Sequence, residues 1–391
     1  TLDKNIIANT LAYAIMGEMM VQHCVVFLQN VDGEMETLVC KGVEKDHVES
    51  VLRKQEAVEA ILQTRLPKEV AQLEPALLSE SMAQKQLELF IPMLSQDRVK
   101  GGIFLGKRLN ERPFSATDLE FLATLANAAM TSFENARLFQ EAIEKERLEE
   151  ELSIARDIQR KLLPASAPII EGFEFAGMNI PTRKVGGDYY DFILVDDQHI
   201  VVAIGDVSGK GVPASLLMAN LQASLHAMIH AGWPLKEVVR RINNIIHKNT
   251  AIDKFITFFI AEINTETHEL TYVNAGHNPP MWVNQNGEIR LLETGGVILG
   301  MMPEMPYQQE TISLAPNDWL VLFTDGVSEA MNEQDEEFTE QRIEATIREN
   351  LDLSARQMIE KIATAVREFC GNAPQSDDIT LVAIHLLQPQ K

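Results

Sequence analysis

Apolar positions recur along this chain in two rhythms, helical and extended, and the changes between them mark its parts. Ile6, Ile7 and Leu11 repeat at helical spacing near the start. Residues 21–28 and 35–41 then read as strands joined by a turn at Asp32-Gly33. A helix is expected over 48–64, and 87–94 and 103–107 read as two more strands around a turn ending in Gly101-Gly102. From Ser115, with Asp118 at capping-box spacing, no glycine or proline interrupts the chain until Pro164. That stretch predicts one helix of about 49 residues, roughly 70–75 Å long. Its first half carries Phe121, Leu122, Leu125, Ala128, Ala129 and Phe133, enough to pack on a domain. Its second half is charged, with Leu138, Leu148, Leu152, Ala155 and Leu162 on a heptad seam that Lys145 and Gln159 interrupt. The seam predicts a weak parallel coiled coil joining two protomers, a solvated spacer helix being the alternative.

Beyond Pro164 the apolar runs end on carboxylates. Residues 200–204 form a buried-strand pattern that leads into Gly205-Asp206-Val207-Ser208-Gly209-Lys210-Gly211-Val212-Pro213, where Pro213 suits the first turn of a following helix. Asp325 likewise follows the apolar run 320–323, Asp377 and Asp378 precede the run 379–384, and Asp188 lies in Val185-Gly186-Gly187-Asp188-Tyr189-Tyr190-Asp191-Phe192. In an extended chain Asp188 and Asp191 face opposite ways, so only one can point into a shared site. If these strand ends converge, each pair of carboxylates about 5 Å apart costs roughly 3 kcal/mol at an effective dielectric near 20. Such a cluster calls for protons or metal ions, and oxygen-only donors favour Mg²⁺ or Mn²⁺ over zinc. Two apolar stripes follow Asp206: Leu217, Leu221, Leu225 and Met228, then Leu235, Val238, Val239, Ile242, Ile245 and Ile246. Both predict helices packed on a core.

The motifs VGGDYYDF (185–192), GDVSGKGVPASLLM (205–218), YVNAGHNPP (272–280), LFTDGVSEAMN (322–332) and SDDITLVAI (376–384) resemble those of the metal-dependent serine/threonine protein phosphatases (PPM, or type 2C), in their SpoIIE/RsbU branch. The resemblance implies two antiparallel sheets flanked by helices in an α-β-β-α sandwich, with two Mn²⁺ or Mg²⁺ ions at one end. It implies that Asp206 bridges the ions, with Asp188, the Val207 carbonyl, Asp325 and Asp377 as further ligands and Asp378 the alternative to Asp377. A water activated between the ions would attack phosphorus in line. Where eukaryotic members carry a phosphate-binding Arg, this chain has Lys184 beside Arg183. Where they carry a proposed general-acid His, it has Ser208, and His277 falls where some members place an Asp for a third metal. The implied substrate is a phosphorylated STAS-type anti-sigma-factor antagonist.

The order of elements before the long helix, with Gly102-Ile103-Phe104-Leu105-Gly106-Lys107, resembles a GAF sensor domain, which implies an unidentified small-molecule ligand or a dimerising role. The expected class is therefore α+β: a GAF-like α/β sensor domain at 1–135, a helical coiled-coil linker at 136–164 through which it regulates the enzyme, and a phosphatase domain at 165–391. The 391 residues leave room for this, and a net charge of −23 argues against nucleic acid and anionic membrane surfaces as partners. Three cysteines, none in a C-x-x-C pair, and the lack of a signal-peptide pattern or a 20-residue apolar run fit a cytoplasmic protein. The chain begins with Thr, as a fragment or a processed form does. Two other readings compete: a pseudophosphatase scaffold without turnover, and a phosphodiesterase or nucleotide cyclase suggested by the GGDYY string.

Overall fold

The computed structural model describes residues 3–30, 32–250 and 254–388. The chain divides into two compact units, Thr1–Leu148 and Glu149–Lys391. The first contains α1 (Lys4–Met19), β1 (Cys24–Gln29), β2 (Met35–Lys41), α2 (Lys45–Leu52), α3 (Gln55–Gln63), β3 (Lys68–Glu69), α4 (Ala76–Ala83), β4 (Leu87–Ser95), β5 (Arg98–Gly106) and most of α5 (Ala116–Arg160). Its five strands form one antiparallel sheet in the order β2-β1-β5-β4-β3. Alternation along the strands splits the core in two. Val26, Ile91 and Ile103 pack with Leu11, Ile15, Leu122 and Phe133 of α1 and α5. Phe27, Phe90 and Phe104 pack on the other face with residues of α2, α3 and α4.

Several local expectations change. The helix expected over 48–64 is two helices, broken at Arg53-Lys54. Leu52 and Ala57 are both buried in the same core. Five residues apart on one helix, they would point about 140° apart, and the break re-aims the second stripe. Gly101-Gly102 is not a turn: β4 and β5 join through Gln96 and Asp97, both at positive φ (46° and 61°), and the glycines lie inside β5. A Cβ on Gly102 would come within 2.3 Å of the Phe90 ring, and one on Gly101 within 2.4 Å of the Phe27 carbonyl. The glycines let the aromatic cluster close over the sheet. Gly102→Ala is accordingly expected to cost about 1–3 kcal/mol through overpacking. Urea unfolding of wild type and variant checks this, and coincident curves would mean that the ring moves aside freely.

The helix α5 carries the expected capping box, in which the Ser115 N–H donates to Asp118 Oδ2 at 2.8 Å and the Asp118 N–H to Ser115 Oγ at 3.2 Å. It spans 45 residues, or about 68 Å at 1.5 Å per residue. It ends at Arg160, short of Leu163, because the Lys161 and Leu162 N–H groups close tighter bonds onto the Ile158 and Gln159 carbonyls. Leu162 thereby leaves the heptad seam and packs with Leu163 against the core of the second unit. Phe121 is exposed rather than packed, whereas Leu122, Ala126, Ala129, Met130, Phe133 and Ala136 form the buried stripe. Leu138 and Leu148 stand exposed.

The second unit continues with β6 (Phe173–Ile180), β7 (Tyr189–Leu194), β8 (His199–Val207), α6 (Val212–Ile229), α7 (Leu235–Asn249), β9 (Ile256–Asn264), β10 (Glu269–Ala275), β11 (Met281–Val283), β12 (Ile289–Leu291), β13 (Gly295–Gly296), β14 (Glu310–Ser313), β15 (Trp319–Phe323), α8 (Asp325–Ser328), α9 (Glu340–Arg348), α10 (Ala355–Cys370) and β16 (Ile379–Leu386). One sheet runs β13-β10-β9-β8-β7, with β14 also on β10, and the other β12-β11-β15-β16-β6. Pairing is antiparallel except for β13 on β10, where a Gly295 Cβ would lie 1.8 Å from the Asn274 carbonyl oxygen. The sheets face each other across Phe175, Val202, Phe259, Leu322 and Val382. Their outer faces are covered by α6 and α7 on one side and by α8, α9 and α10 on the other. The unit is a four-layer α-β-β-α sandwich. Its first strand, β6, pairs along its whole length with its last, β16. No helix among the described residues is long and apolar enough to cross a membrane.

Candidate active site

Strand ends from both sheets meet at one end of the sandwich. The register Tyr189↔Gly205 sets Asp188, just before β7, beside Asp206 near the end of β8. The register Phe323↔Leu381 does the same for the other sheet, bringing Thr324 and Asp325 beyond β15 to Asp378 and Thr380 at the start of β16. Buried threonines link the sheets: Thr324 and Thr380 hydroxyls donate to Asp188 Oδ2 at 2.8 and 2.5 Å. Asn179 of β6 donates to Thr380 Oγ1 at 2.8 Å, so Asp188 is held by a relay through three strands. Sequence reasoning missed these residues, although each threonine stands one or two positions from a motif aspartate.

The carboxylates raise one another's proton affinity. Burial, then the Asp206 charge, pushes Asp188 well above the usual carboxylate range, against the pull of the threonine hydroxyls. Burial, then Asp325, lifts Asp206 to about 7, with Asp377 and Asp378 adding smaller repulsions and a hydrogen bond with Asp188 opposing them. Asp325 is also raised, by burial first and Asp377 second, while the Gly326 N–H and Lys210 oppose. This is a cluster short of positive charge.

Among the described residues, no three His, Cys, Asp or Glu side chains converge tightly enough to hold a metal ion as they stand. The hydrogen bonds give the reason. Asp377 is turned onto the Lys210 ammonium at 2.8 Å. Asp378 accepts the Thr182 and Gly187 N–H groups at 2.7 and 3.0 Å, and Asp188 accepts the threonines. The donor set is nonetheless all oxygen, and its raised proton affinity is the mark of carboxylates that a hard divalent cation would satisfy. Asp378 is wedged between two glycines: a Cβ on Gly186 would strike its Oδ2 at 2.1 Å, and one on Gly326 its carbonyl at 2.0 Å. The Val207 carbonyl faces Gly187, 2.9 Å from where a Cβ would stand.

Other expected residues are placed differently. Lys184 does not reach the acidic cluster: its ammonium donates to the Glu149 carbonyl on α5 at 3.1 Å. Arg183 is exposed, its guanidinium beside Gly211. Lys210, not singled out from the sequence, brings a cation to the cluster, donating to both Asp377 and the Ser376 carbonyl. Ser208 is tied to Phe255 by two bonds of 2.9 Å, one accepted by its hydroxyl and one donated by its N–H. His277 is buried, which lowers it to about 4 against a smaller pull from the Phe323 carbonyl. Its Nδ1 meets the Thr257 hydroxyl at 2.9 Å. Asp191 faces away from the cluster, accepting Tyr189 Oη and meeting His226 Nε2, both at 2.7 Å.

The family model for Stage II sporulation protein E (SpoIIE) matches residues 196–387. The phosphoserine phosphatase RsbU of Bacillus subtilis is 31% identical over 242 residues, covering 61% of this chain and 71% of that protein. The sandwich is shared with solved structures, among them two bacterial phosphatase-domain structures. The SiaA-PP2C domain of Pseudomonas aeruginosa superposes with a TM-score of 0.55 at 22% identity, over 62% of this chain and 99% of that one. The RsbU and RsbW domains of Rv1364c from Mycobacterium tuberculosis give 0.50 at 25%, over 59% and 64%. With RsbU's sequence matched over most of its length and the sandwich matched to PP2C domains, the chain belongs to the SpoIIE-type PPM serine/threonine phosphatases.

Proposed function

We propose that this phosphatase removes phosphate from a phosphoserine or phosphothreonine of a partner protein, a STAS-type anti-sigma-factor antagonist, with two Mn²⁺ or Mg²⁺ ions. The observation that carries the metal requirement is the meeting of strand ends from both sheets around Asp206, where burial first and the neighbouring Asp325 second lift its pKa to about 7. Asp206, Asp188, Asp325, Asp377 and the Val207 carbonyl would hold the ions, while Asp378 fixes the backbone at Thr182 and Gly187. Bound there, the ions would supply the positive charge that activates water and neutralises the transferring phosphoryl group. The protein's own part is placement. Thr324 and Thr380 aim Asp188, and Lys210 is the cation positioned to meet a substrate phosphate. Ser208, held on Phe255, and His277, neutral and buried, are left to structural work.

The sensor reading is part of the same proposal. Residues 1–135 form a GAF-like domain for an unidentified small molecule, 136–164 a linker and 165–391 the catalytic domain, with homodimerisation through the linker. An antiparallel sheet covered on both faces by helices supports the first assignment, and the exposed Leu138 and Leu148 support the second.

The test is release of phosphate from p-nitrophenyl phosphate and from a phosphoserine peptide by the full chain, with Mn²⁺ or with EDTA. Hydrolysis of both is expected to require Mn²⁺ and to fall to background in EDTA. Equal rates in EDTA would exclude metal-dependent chemistry, and inertness in Mn²⁺ would favour a scaffold.

A further inference from the structure

Beside the acidic cluster, on the outer side of the sheet that carries β15 and β16, lies a cavity of about 140 Å³. Its walls are mostly apolar: Ile180 at the end of β6, Ile379 at the start of β16, Val366 on α10, Ala373 just beyond it and Met331 from the segment after α8. The volume approaches the roughly 150 Å³ of an apolar cavity that admits benzene. It therefore takes one large aliphatic or aromatic side chain. Gly326 and Ser376 also line it, and they are the immediate neighbours of Asp325 and Asp377. The cavity and the cluster thus share a wall. Gln375, another lining residue, stiffens that wall by donating to the carbonyls of Asp377 and Ile180 at 2.7 and 3.0 Å. Gly326 brings the backbones close in that wall, because a Cβ there would meet the Asp378 carbonyl oxygen at 2.0 Å.

We propose that this cavity is a substrate subsite, which binds an apolar side chain within a few residues of the phosphoserine in the partner protein and so selects among phosphoproteins. The proposal rests on the phosphatase reading of the acidic cluster and adds a specificity element to it. An apolar hole one residue from two candidate metal ligands suits a peptide whose phosphate is engaged by the cluster. Burying such a side chain contributes about 1.5–3 kcal/mol. That corresponds to roughly a 10- to 150-fold preference in kcat/KM.

The experiment uses the full chain with Mn²⁺ and a set of synthetic phosphoserine peptides in which a single Leu is moved from four positions before to four after the phosphoserine, on an alanine-rich background. Wild type is expected to prefer Leu at one position by at least tenfold over the all-alanine peptide. Ala373→Trp, which fills the cavity from its rim, should abolish that preference while p-nitrophenyl phosphate is hydrolysed as before. Met331→Glu, which makes the wall polar, should do the same through a different change. Absence of any preference in wild type overturns the proposal, as does a preference that survives in either variant. A wild-type protein inert toward every ester, the small one included, removes the phosphatase reading and this proposal with it.

Discussion

Asp206→Asn is expected to lower Mn²⁺-dependent hydrolysis of p-nitrophenyl phosphate on the order of 10³-fold, about 4 kcal/mol of transition-state stabilisation. Asp206 is the residue on which the repulsions of Asp325, Asp377 and Asp378 converge and which shares a hydrogen bond with Asp188. An amide has nearly the same shape but carries no charge, so the loss would come from metal binding and not from the fold. Stability gives a second readout. A carboxylate lifted to about 7 in the native state keeps a proton that the unfolded chain, with an ordinary value near 4, has already released. Between those limits the native state binds more protons, so the group's contribution to stability is present at low pH and is lost as pH rises through about 7. In EDTA the thermal midpoint of wild type should therefore fall from pH 5 to pH 8, and that of Asp206→Asn should fall less. Parallel profiles, or a variant with wild-type turnover, would sink the assignment.

Thr380→Val is the second large effect. The Thr380 hydroxyl donates to Asp188 at 2.5 Å and accepts from Asn179 at 2.8 Å, in a fully buried setting. Valine keeps the volume and removes both bonds, leaving the Asn179 amide unpaired and Asp188 held by Thr324 alone. Residues that orient a ligand typically carry about 10–100-fold in metal affinity or activity. The Mn²⁺ concentration for half-maximal rate should rise by that factor, with about 1–3 kcal/mol of stability lost to the unpaired group. Thr380→Ser, which retains the hydroxyl, should restore most of the Mn²⁺ response. If the valine variant loses stability but keeps its Mn²⁺ response, Thr380 is only a packing residue.

What the sequence made legible was what lies within one element or one motif. The strands that end at Asp206 and Asp325 and the one that begins after Asp378 were readable as apolar runs bounded by a carboxylate, and the Ser115–Asp118 cap as a four-residue pattern. The residues it hid act across large separations. Lys210 meets Asp377 across 167 positions of chain, and Thr380 meets Asp188 across 192. No local pattern sets a lysine apart as one cluster's counter-charge, so the resemblance pointed to Lys184, which stands where eukaryotic members carry a phosphate-binding Arg, and left Lys210 unremarked. Gly101 and Gly102 misled for a related reason. A glycine pair reads as a turn until the Phe27 and Phe90 rings that need the space are in place.

The pairing of β6 with β16 has a consequence for how the protein is made. β16 lies between β15 and β6 and supplies Thr380, yet it follows every other strand of this sheet in the sequence. The roughly 200 residues separating it from β6 take roughly 10–40 s to synthesise at 5–20 residues per second. Throughout that time the nascent chain holds β6 as an unpaired edge and Asp188 without one of its donors. The sheet β12-β11-β15-β16-β6 is therefore completed only after the rest of the catalytic unit has been made. A chain released before residue 379 lacks both the strand that covers β6 and the Thr380 hydroxyl that aims Asp188, and is expected to be inactive.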